Sequence, residues 1–575
     1  MGLLNSSLQI GRNAILSYQG ALQTVGNNVS NAGSPDYTRL TPELDPLQGI
    51  PIAGGLQPGA GVALTDIQRN IDEALEGRIR RAIGFQHDFA SQQVSLAQIE
   101  ALFSDLSGTD IGTRLQGFFH SFDELQNNPE DAAVRDFTIS AGASLADSLR
   151  TVRAQLESLG TDLDGQITQI VERADEVALE IARLNGQITT SEAGRRGQAT
   201  ALRDRRDALL RELAEYFDVT VREQPNGALN VYVGSETLIQ GDVTRGIMAT
   251  TNSDGEFVRT QVRFADTNQE LAVRGGRLGG VIEARDVHAY GRVESLDQLA
   301  TVIVTEVNRI HADGQGLIGF RSITGASDVL ATDVPLNDAA AGLMNPPSNG
   351  SFYITVTDDP TGTPVAHRID VAFDAAGGTS LESLVLQINN SVTGVTASIT
   401  SDRRLTLTAD DGFSFAFGHD GQSARTDTSG ILAALGINTF FTGNDAATME
   451  VNQALIEEPG YLAAASVFLP GDGLNAGRLA GLDAAPVASA GGSSISGVYN
   501  TIASAVAVNA ASANANVDAA DTVLSSLQAQ KESISGVNLD EEAISLLKFE
   551  RAFQGAARFV TVVDGLIDEL VAMIR

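Results

Sequence analysis

The stretch NNVSNAGSPDYTRL, Asn27–Leu40, stops a helical pattern dead. Upstream of it Leu8, Ile15, Leu22 and Val29 recur every seven residues, and Leu4, Tyr18 and Val25 fill the intervening d-type positions, with Gly11 as the weak member. Such a heptad seam predicts a helix that lies along another helix. Asn31 and Gly33 are residue types that accept left-handed backbone angles, and Pro35 removes a donor while pushing Ser34 toward extended geometry. The helix is expected to end here, and a partner for its seam must come from elsewhere in the chain.

The other end supplies one. Leu546, Phe549, Phe553, Ala556, Val560, Val563, Ile567, Leu570 and Ile574 alternate by three and four residues. A helix from Leu539 to Arg575 would run about 55 Å at about 1.5 Å per residue. It follows SGVNLDEE (535–542), where Asn538 or Asp540 can cap and where Glu541 and Glu542 suit the positive end of the dipole. Ile502, Val506, Ala513, Ala520, Val523, Leu527 and Ile534 form a further seam, interrupted at core-type positions by Asn509 and Asn516, which could fix register. Two readings of the ends stand side by side. They pair within one chain, or they build a coaxial rod that packs against copies of itself.

Composition narrows the function. A chain of 575 residues exceeds one compact core, so several domains are expected. No run approaches the roughly 20 apolar residues of a membrane span, so no membrane insertion is expected. The first thirty residues lack the basic and apolar regions of a cleaved secretory signal. A formal charge of −34 argues against nucleic acid as a partner, because phosphate binding needs clustered Lys and Arg. The absence of Cys removes disulfides, thiol nucleophiles and Cys-based zinc sites together. His87, His120, His288, His311, His367 and His419 are scattered, with no pair at metal-ligand spacing. No catalytic, cofactor-binding or metal-binding residues are expected, and structure or binding is favoured over catalysis.

The middle of the chain is helical first and β-rich later. Leu156, Leu163, Ile170, Val177 and Leu184 lie on one heptad line, with Ile167, Ala174, Ile181 and Ile188 on the other. A charged helix then leads to VTVRE, a turn at Pro225-Asn226-Gly227, and LNVYV, a strong hairpin cue. Residues 341–445 read as a β-rich insert: Phe352, Ile354 and Val356 alternate with polar partners, as do Val395, Ala397 and Ile399, and LESLVLQINN is a short helix between strands. Residues 470–497, rich in Gly, Ala and Ser, read as a loop or linker. GQGLIG (314–319) fits a dinucleotide fingerprint only in spelling, because it follows a helix where that fold needs a strand. TDDPTG (357–362) and ADDGF (409–413) lack the alternating ligands of a calcium loop and read as turns.

Both ends carry a resemblance. ALQTVGNNVSNAGSPDYTR (21–39) resembles the N-terminal motif of the flagellar rod, hook and hook-associated proteins, in which a helix ends in Asn-Asn-hydrophobic-Ala/Ser-Asn before Thr-Pro-Gly-Tyr. It falls here on Asn27, Asn28, Asn31, Pro35, Tyr37 and Arg39. SGVNLDEEAISLLKFERAFQGAARFVTVVDGLIDELV (535–571) resembles the C-terminal motif of the same family. Asp36 departs from the usual Gly, and Asp tolerates left-handed angles better than most residues. The long helical middle is similar to that of the hook-associated members, over residues 1–320 and from about 494 onward.

The resemblance implies a mixed, mainly α, elongated rod-like multidomain protein with β-rich outer domains. Its terminal helices would pair as a coiled-coil-like inner domain, residues 1–50 with 536–575. A helical rod domain would span 51–325 and 494–535, with a small β subdomain at about 216–282, and outer β-rich domains would span 326–493. The implied role is a structural junction between hook and filament, self-assembling in a ring through a seam of Leu8, Ile15, Leu22, Val25, Val29, Leu546, Phe549, Phe553, Val560, Val563, Ile567, Leu570 and Ile574. Implied partners are further copies of the chain, the hook protein, hook-associated protein 3 and an export chaperone. Implied location is the extracellular flagellum, reached through its own type III export apparatus. Two rival readings are another axial protein, chiefly the hook protein, and a surface adhesin. Hook proteins follow the N-terminal motif mainly with β-rich domains, and an adhesin should show a signal peptide and repeated strands.

Overall fold

The seven-residue spacing of the first thirty residues folds as one helix, α1 (Gly2–Asn31), in the computed structural model. The structure describes residues 2–34, 36–49, 59–103, 110–194, 197–253, 255, 257–374, 377–420, 422–467 and 469–574. After the break come the antiparallel strands β1 (Leu40–Pro46) and β2 (Val62–Arg69). Helices α2 (Glu73–Phe103), α3 (Ile111–Asn127), α4 (Ala132–Ser191) and α5 (Thr200–Tyr216) follow. An antiparallel meander of β3 (Val219–Glu223), β4 (Leu229–Val233), β5 (Glu236–Gln240) and β6 (Val243–Thr244) precedes the hairpin β7 (Ile247–Ser253) and β8 (Val258–Phe264).

Helix α6 (Gly276–Glu283) runs through a π-helical turn, Ala284–Tyr290, into α7 (Gly291–Ala312). Then come β9 (Ser322–Thr324), β10 (Gly350–Asp358), β11 (Thr363–Val371), α8 (Leu381–Ser391), β12 (Val395–Ile399), β13 (Leu405–Ala409) and β14 (Phe413–Phe417). Short elements α9 (Ile431–Ala434), β15 (Phe441–Thr442), β16 (Glu450–Val451), α10 (Gln453–Glu457) and α11 (Leu474–Ala480) lead to α12 (Ile495–Ser535) and α13 (Leu539–Ile574).

The chain forms two compact units: Met1–Ser95, Asp162–Ala284 and Ser512–Arg575 in the first, and Leu96–Thr161 with Arg285–Ala511 in the second. In the first, both heptad lines of α4 are buried, from Leu163 and Ile167 to Leu184 and Ile188. Asn185 on the same helix grips the first residue of β4, donating to the Leu229 carbonyl at 2.9 Å and accepting from its amide at 3.1 Å. Arg203 of α5 pairs with the buried Glu192 at 2.9 Å, and this guanidinium holds the carboxylate down to about 2. The Asn-Gly turn closes β3 on β4 as its sequence predicts.

In the second unit, β11-β10-β14 and β12-β13-β9 enclose a core that includes Phe320, Phe352, Phe415 and Phe417, with Leu381, Leu384 and Ile388 of α8 laid into it. A second aromatic knot joins Phe118 and Phe122 of α3 to Phe440 and Phe441, with ring centroids 4.7–5.7 Å apart. Residues 470–497 are not a plain linker. Helix α11 packs on α3, and Leu479, Leu482 and Val487 are buried. Ala and Gly gave this segment no readable period, yet their small size is what lets a short helix approach closely. The glycines of GQGLIG serve backbone approach too: a Cβ on Gly314 would overlap Asn475, and one on Gly316 the Gly460 carbonyl.

His311 joins these loops to the end of α7. It is fully buried, its Nδ1 lies 2.8 Å from the Asn438 carbonyl, and its Nε2 accepts from the Ala463 amide at 3.1 Å. Only a neutral ring protonated at Nδ1 satisfies both bonds. Burial, assisted by the nearby Arg135 charge, pushes its pKa down to about 4. Because the folded value lies below the ordinary one, the stabilisation is complete above about pH 6.5 and is withdrawn as the pH falls toward 4. The expected loss is roughly 3 kcal/mol across that window. Urea unfolding at pH 7 and pH 4.5 checks it: the pH difference should shrink in His311→Gln, and an equal difference in both proteins would refute the assignment.

Candidate functional site

Helices α1 and α13 pack along one another within the chain. Of the seam positions, Val25 and Val563 are buried, while Leu8, Ile15, Leu22, Phe549, Phe553, Val560, Ile567 and Leu570 are half-buried. Val29 and Leu546 are exposed, and Ile574 lies in α13 with its side chain outside the described residues. Gly11 is not a weak point of the seam. It is buried, and a Cβ there would overlap Val560 Cγ2, so the missing side chain is what lets the two helices close. The α12 seam is narrower than its spacing suggests. Ile502, Val506, Ala513, Ala520 and Leu527 are buried, but Val523, Ile534 and Asn516 face solvent, so Asn516 is not a core position. A straight helix drifts by about 20° per heptad, which carries the ends of a long pattern off the face.

The break after α1 is made by turns rather than by left-handed residues. Neither Asn31 nor Gly33 has a positive φ, and the Ser34 amide reaches the Asn31 carbonyl at 2.9 Å. Pro35 lies outside the described residues. Asn27 and Asn31 are a surface pair, with Asn31 Nδ2 donating to the Asn27 carbonyl at 2.9 Å and to its side-chain oxygen at 3.0 Å.

Asn28, by contrast, is buried at the centre of a polar latch. Its Nδ2 donates to the Leu40 carbonyl at 2.8 Å and to Glu542 Oε2 at 3.0 Å. Its Oδ1 accepts from the Leu40 amide at 3.0 Å and from the Tyr37 hydroxyl at 2.8 Å. The side-chain amide thus pairs with Leu40 as a neighbouring strand would, a fit that needs a donor and an acceptor on one short side chain.

Glu542, in the first turn of α13, is as buried as Asn28. Its other oxygen accepts from Arg39 Nε at 2.8 Å, and Arg39 Nη1 reaches Glu541 at 2.7 Å. The Arg39 amide bonds the Ser535 carbonyl at the end of α12 at 3.0 Å. Burial, with Asp204 and Glu542 adding negative charge, pushes the Tyr37 hydroxyl up to about 12, so it stays a donor. Asp36 accepts from Arg211 at 2.7 Å, Arg211 reaches Glu76 at 3.2 Å, and Glu76 takes Lys531 of α12 at 3.2 Å. Asn538 caps α13, accepting from the Asp540 amide at 3.0 Å.

Sequence reasoning placed Asn28, Tyr37 and Arg39 in one motif but gave Glu542 only a dipole role. The motif itself carries the signal that was missed, since the amide of Asn28 and the guanidinium of Arg39 both bring donors that need an acceptor. It also missed a second apolar stripe on α13. Ile544, Leu547, Phe559, Val562, Leu566 and Met573 are exposed along it. The helix is therefore apolar on more than the one face that α1 covers. The arrangement is one for packing. Among the described residues no group of His, Cys, Asp and Glu could hold a metal ion, and no helix is long and apolar enough to cross a membrane.

Comparison with known proteins agrees along the chain. The family model of the flagellar hook-associated protein FlgK helical domain matches residues 96–325, the flagellin hook IN motif residues 351–411, and the flagellar basal body rod FlgEFG protein C-terminal region residues 528–573. The chain is 26% identical to flagellar hook-associated protein 1 of Escherichia coli (strain K12), over 99% of each. It is 21% identical to flagellar hook-associated protein 1 of Bacillus subtilis (strain 168), over 98% of this chain and 97% of that one. The solved flagellar hook junction protein FlgK from Burkholderia pseudomallei superposes with a TM-score of 0.52 at 15% identity, covering 80% of this chain and 100% of that one.

Proposed function

Because this chain belongs to the hook-associated proteins of the bacterial flagellum, we propose that its latched terminal helices are the part through which copies assemble into a ring at the hook–filament junction. It is a structural flagellar component, not an enzyme, and it works at that junction alongside other flagellar parts such as the hook. The match over the helical residues 96–325 favours this over a hook protein or an adhesin.

The observation that carries the assembly reading is the second stripe of α13. Leu547, Val562 and Leu566 stand exposed on a helix whose other face α1 already covers. Burying such a side chain between copies contributes roughly 1.5–3 kcal/mol each, repeated in every subunit. In this reading residues 1–50 with 536–575 form the inner layer and 326–493 the outer one. The neighbours are the hook protein on one side and hook-associated protein 3 on the other. An export chaperone holds the C-terminal segment until the type III channel has delivered the chain.

Adjacent residues test it. Val562 is 63% exposed and Val563 only 4%. Val562→Asp should leave monomer stability within about 0.5 kcal/mol, as surface substitutions do, and abolish filament attachment. Val563→Asp buries an uncompensated charge inside the monomer and should cost several kcal/mol there. Urea unfolding of both variants, with filament counts on cells that express them, separates the two faces. Normal filament numbers with Val562→Asp would refute the stripe as the contact.

A further inference from the structure

A cavity of about 210 Å³ lies in the second unit. Leu317, Val467, Leu469 and Pro470 line it, and so does Arg135 of α4, which is 2% exposed. Arg135 Nε donates to the Pro129 carbonyl at 2.8 Å, and Nη1 donates to the carbonyls of Leu462 at 2.7 Å and Pro459 at 3.2 Å. Among the described residues Nη2 has no hydrogen-bond partner, and Arg135 makes no ion pair.

The two acids on the wall are already engaged. Glu130 accepts from the Gly471 amide at 2.9 Å, and Asp472 accepts from the amides of Ser466 and Val467 at 2.8 Å. Burial pulls Arg135 down to about 10, which still leaves it a cation at neutral pH. A buried charge without a counter-ion is strongly unfavourable, and an arginine fork suits a carboxylate.

We propose that this cavity binds a carboxylate carried on a short apolar body, with the carboxylate on Arg135 Nη2 and the body against Leu317, Val467 and Leu469. The volume falls below the roughly 300–1,000 Å³ of drug-sized sites, so the occupant is small. The same chemistry is offered by a free short-chain acid or by an acidic side chain flanked by an aliphatic one on another protein.

Calorimetric titration of the full chain separates these sources. Hexanoate and the peptide acetyl-Leu-Glu-Leu-amide are the two carboxylates, with hexanamide and the Gln peptide as neutral counterparts. Saturable binding of hexanoate supports the free acid, and binding of the Glu peptide alone supports the protein source. Leu317→Asp, at the exposed rim, should weaken either by about tenfold or more through like-charge repulsion. Arg135→Met should abolish it if its unfolding midpoint stays near that of the parent, and Leu317→Asp decides if it does not. Equal binding of acid and amide, indifference to Leu317→Asp, or no binding of either carboxylate overturns the proposal.

Discussion

Glu542→Leu should cost the terminal helix pair about 3–5 kcal/mol, the usual effect of removing one partner of a buried charged pair. Both oxygens of Glu542 are used inside the fold, one by Asn28 Nδ2 at 3.0 Å and one by Arg39 Nε at 2.8 Å. Leu fits the volume but leaves Asn28, 1% exposed, with a donor that water cannot reach. Arg39 is 22% exposed and keeps Glu541, so its share of the loss is the smaller one. The matched control is Glu541→Leu. That carboxylate is 56% exposed, and surface pairs contribute at most about 1 kcal/mol. Amide hydrogen exchange reads both: residues 10–31 and 539–560 should lose protection in Glu542→Leu and hold it in Glu541→Leu. Equal protection in the two variants would show that the latch does not secure the helices.

A comparable loss is expected at Gly418, without any charge. Its φ is +77°, and a Cβ there would overlap the Asp313 carbonyl oxygen, which is backbone and cannot swing aside. Gly418→Ala therefore meets two penalties, about 1–2 kcal/mol for the left-handed angle and about 1–3 kcal/mol for the overlap. Gly430 isolates the first. Its φ is +72°, and nothing lies within 4 Å of the position its Cβ would take. Gly430→Ala should cost only the angular share, about 1–2 kcal/mol. Thermal unfolding of the two variants gives the difference. Identical destabilisation would mean that the contact with Asp313 relaxes freely.

What could be read in advance was whatever repeats locally. The seams of α1, α4 and α13 declared themselves by period, and the Asn-Gly turn declared the β3–β4 hairpin. What could not be read depends on pairs of residues far apart. Gly11 looks like a defect until Val560 is placed against it, and the two neighbouring asparagines look alike until Leu40 and Glu542 show that only Asn28 turns inward. The exposed stripe on α13 was hidden for another reason. Leu547, Val562 and Leu566 stand beside seam positions in the sequence, and a search for one period assigns each turn a single face. Helix α11 gave no signal because its small residues have no hydrophobic period.

Asn28 and Glu542 are 514 residues apart, and that separation sets an order in time. A ribosome makes the buried amide 514 residues before its acceptor. While those residues are being made α1 lacks both its partner helix and the Glu542 carboxylate that Asn28 binds. Loop length is a mild obstacle to the eventual closure, since each doubling adds only about 0.6 kcal/mol. The delay is one of sequence rather than of energy. Helix α1 leaves the ribosome long before α13 can secure it, and a chain cut short anywhere before α13 keeps an open α1 however well its middle has folded.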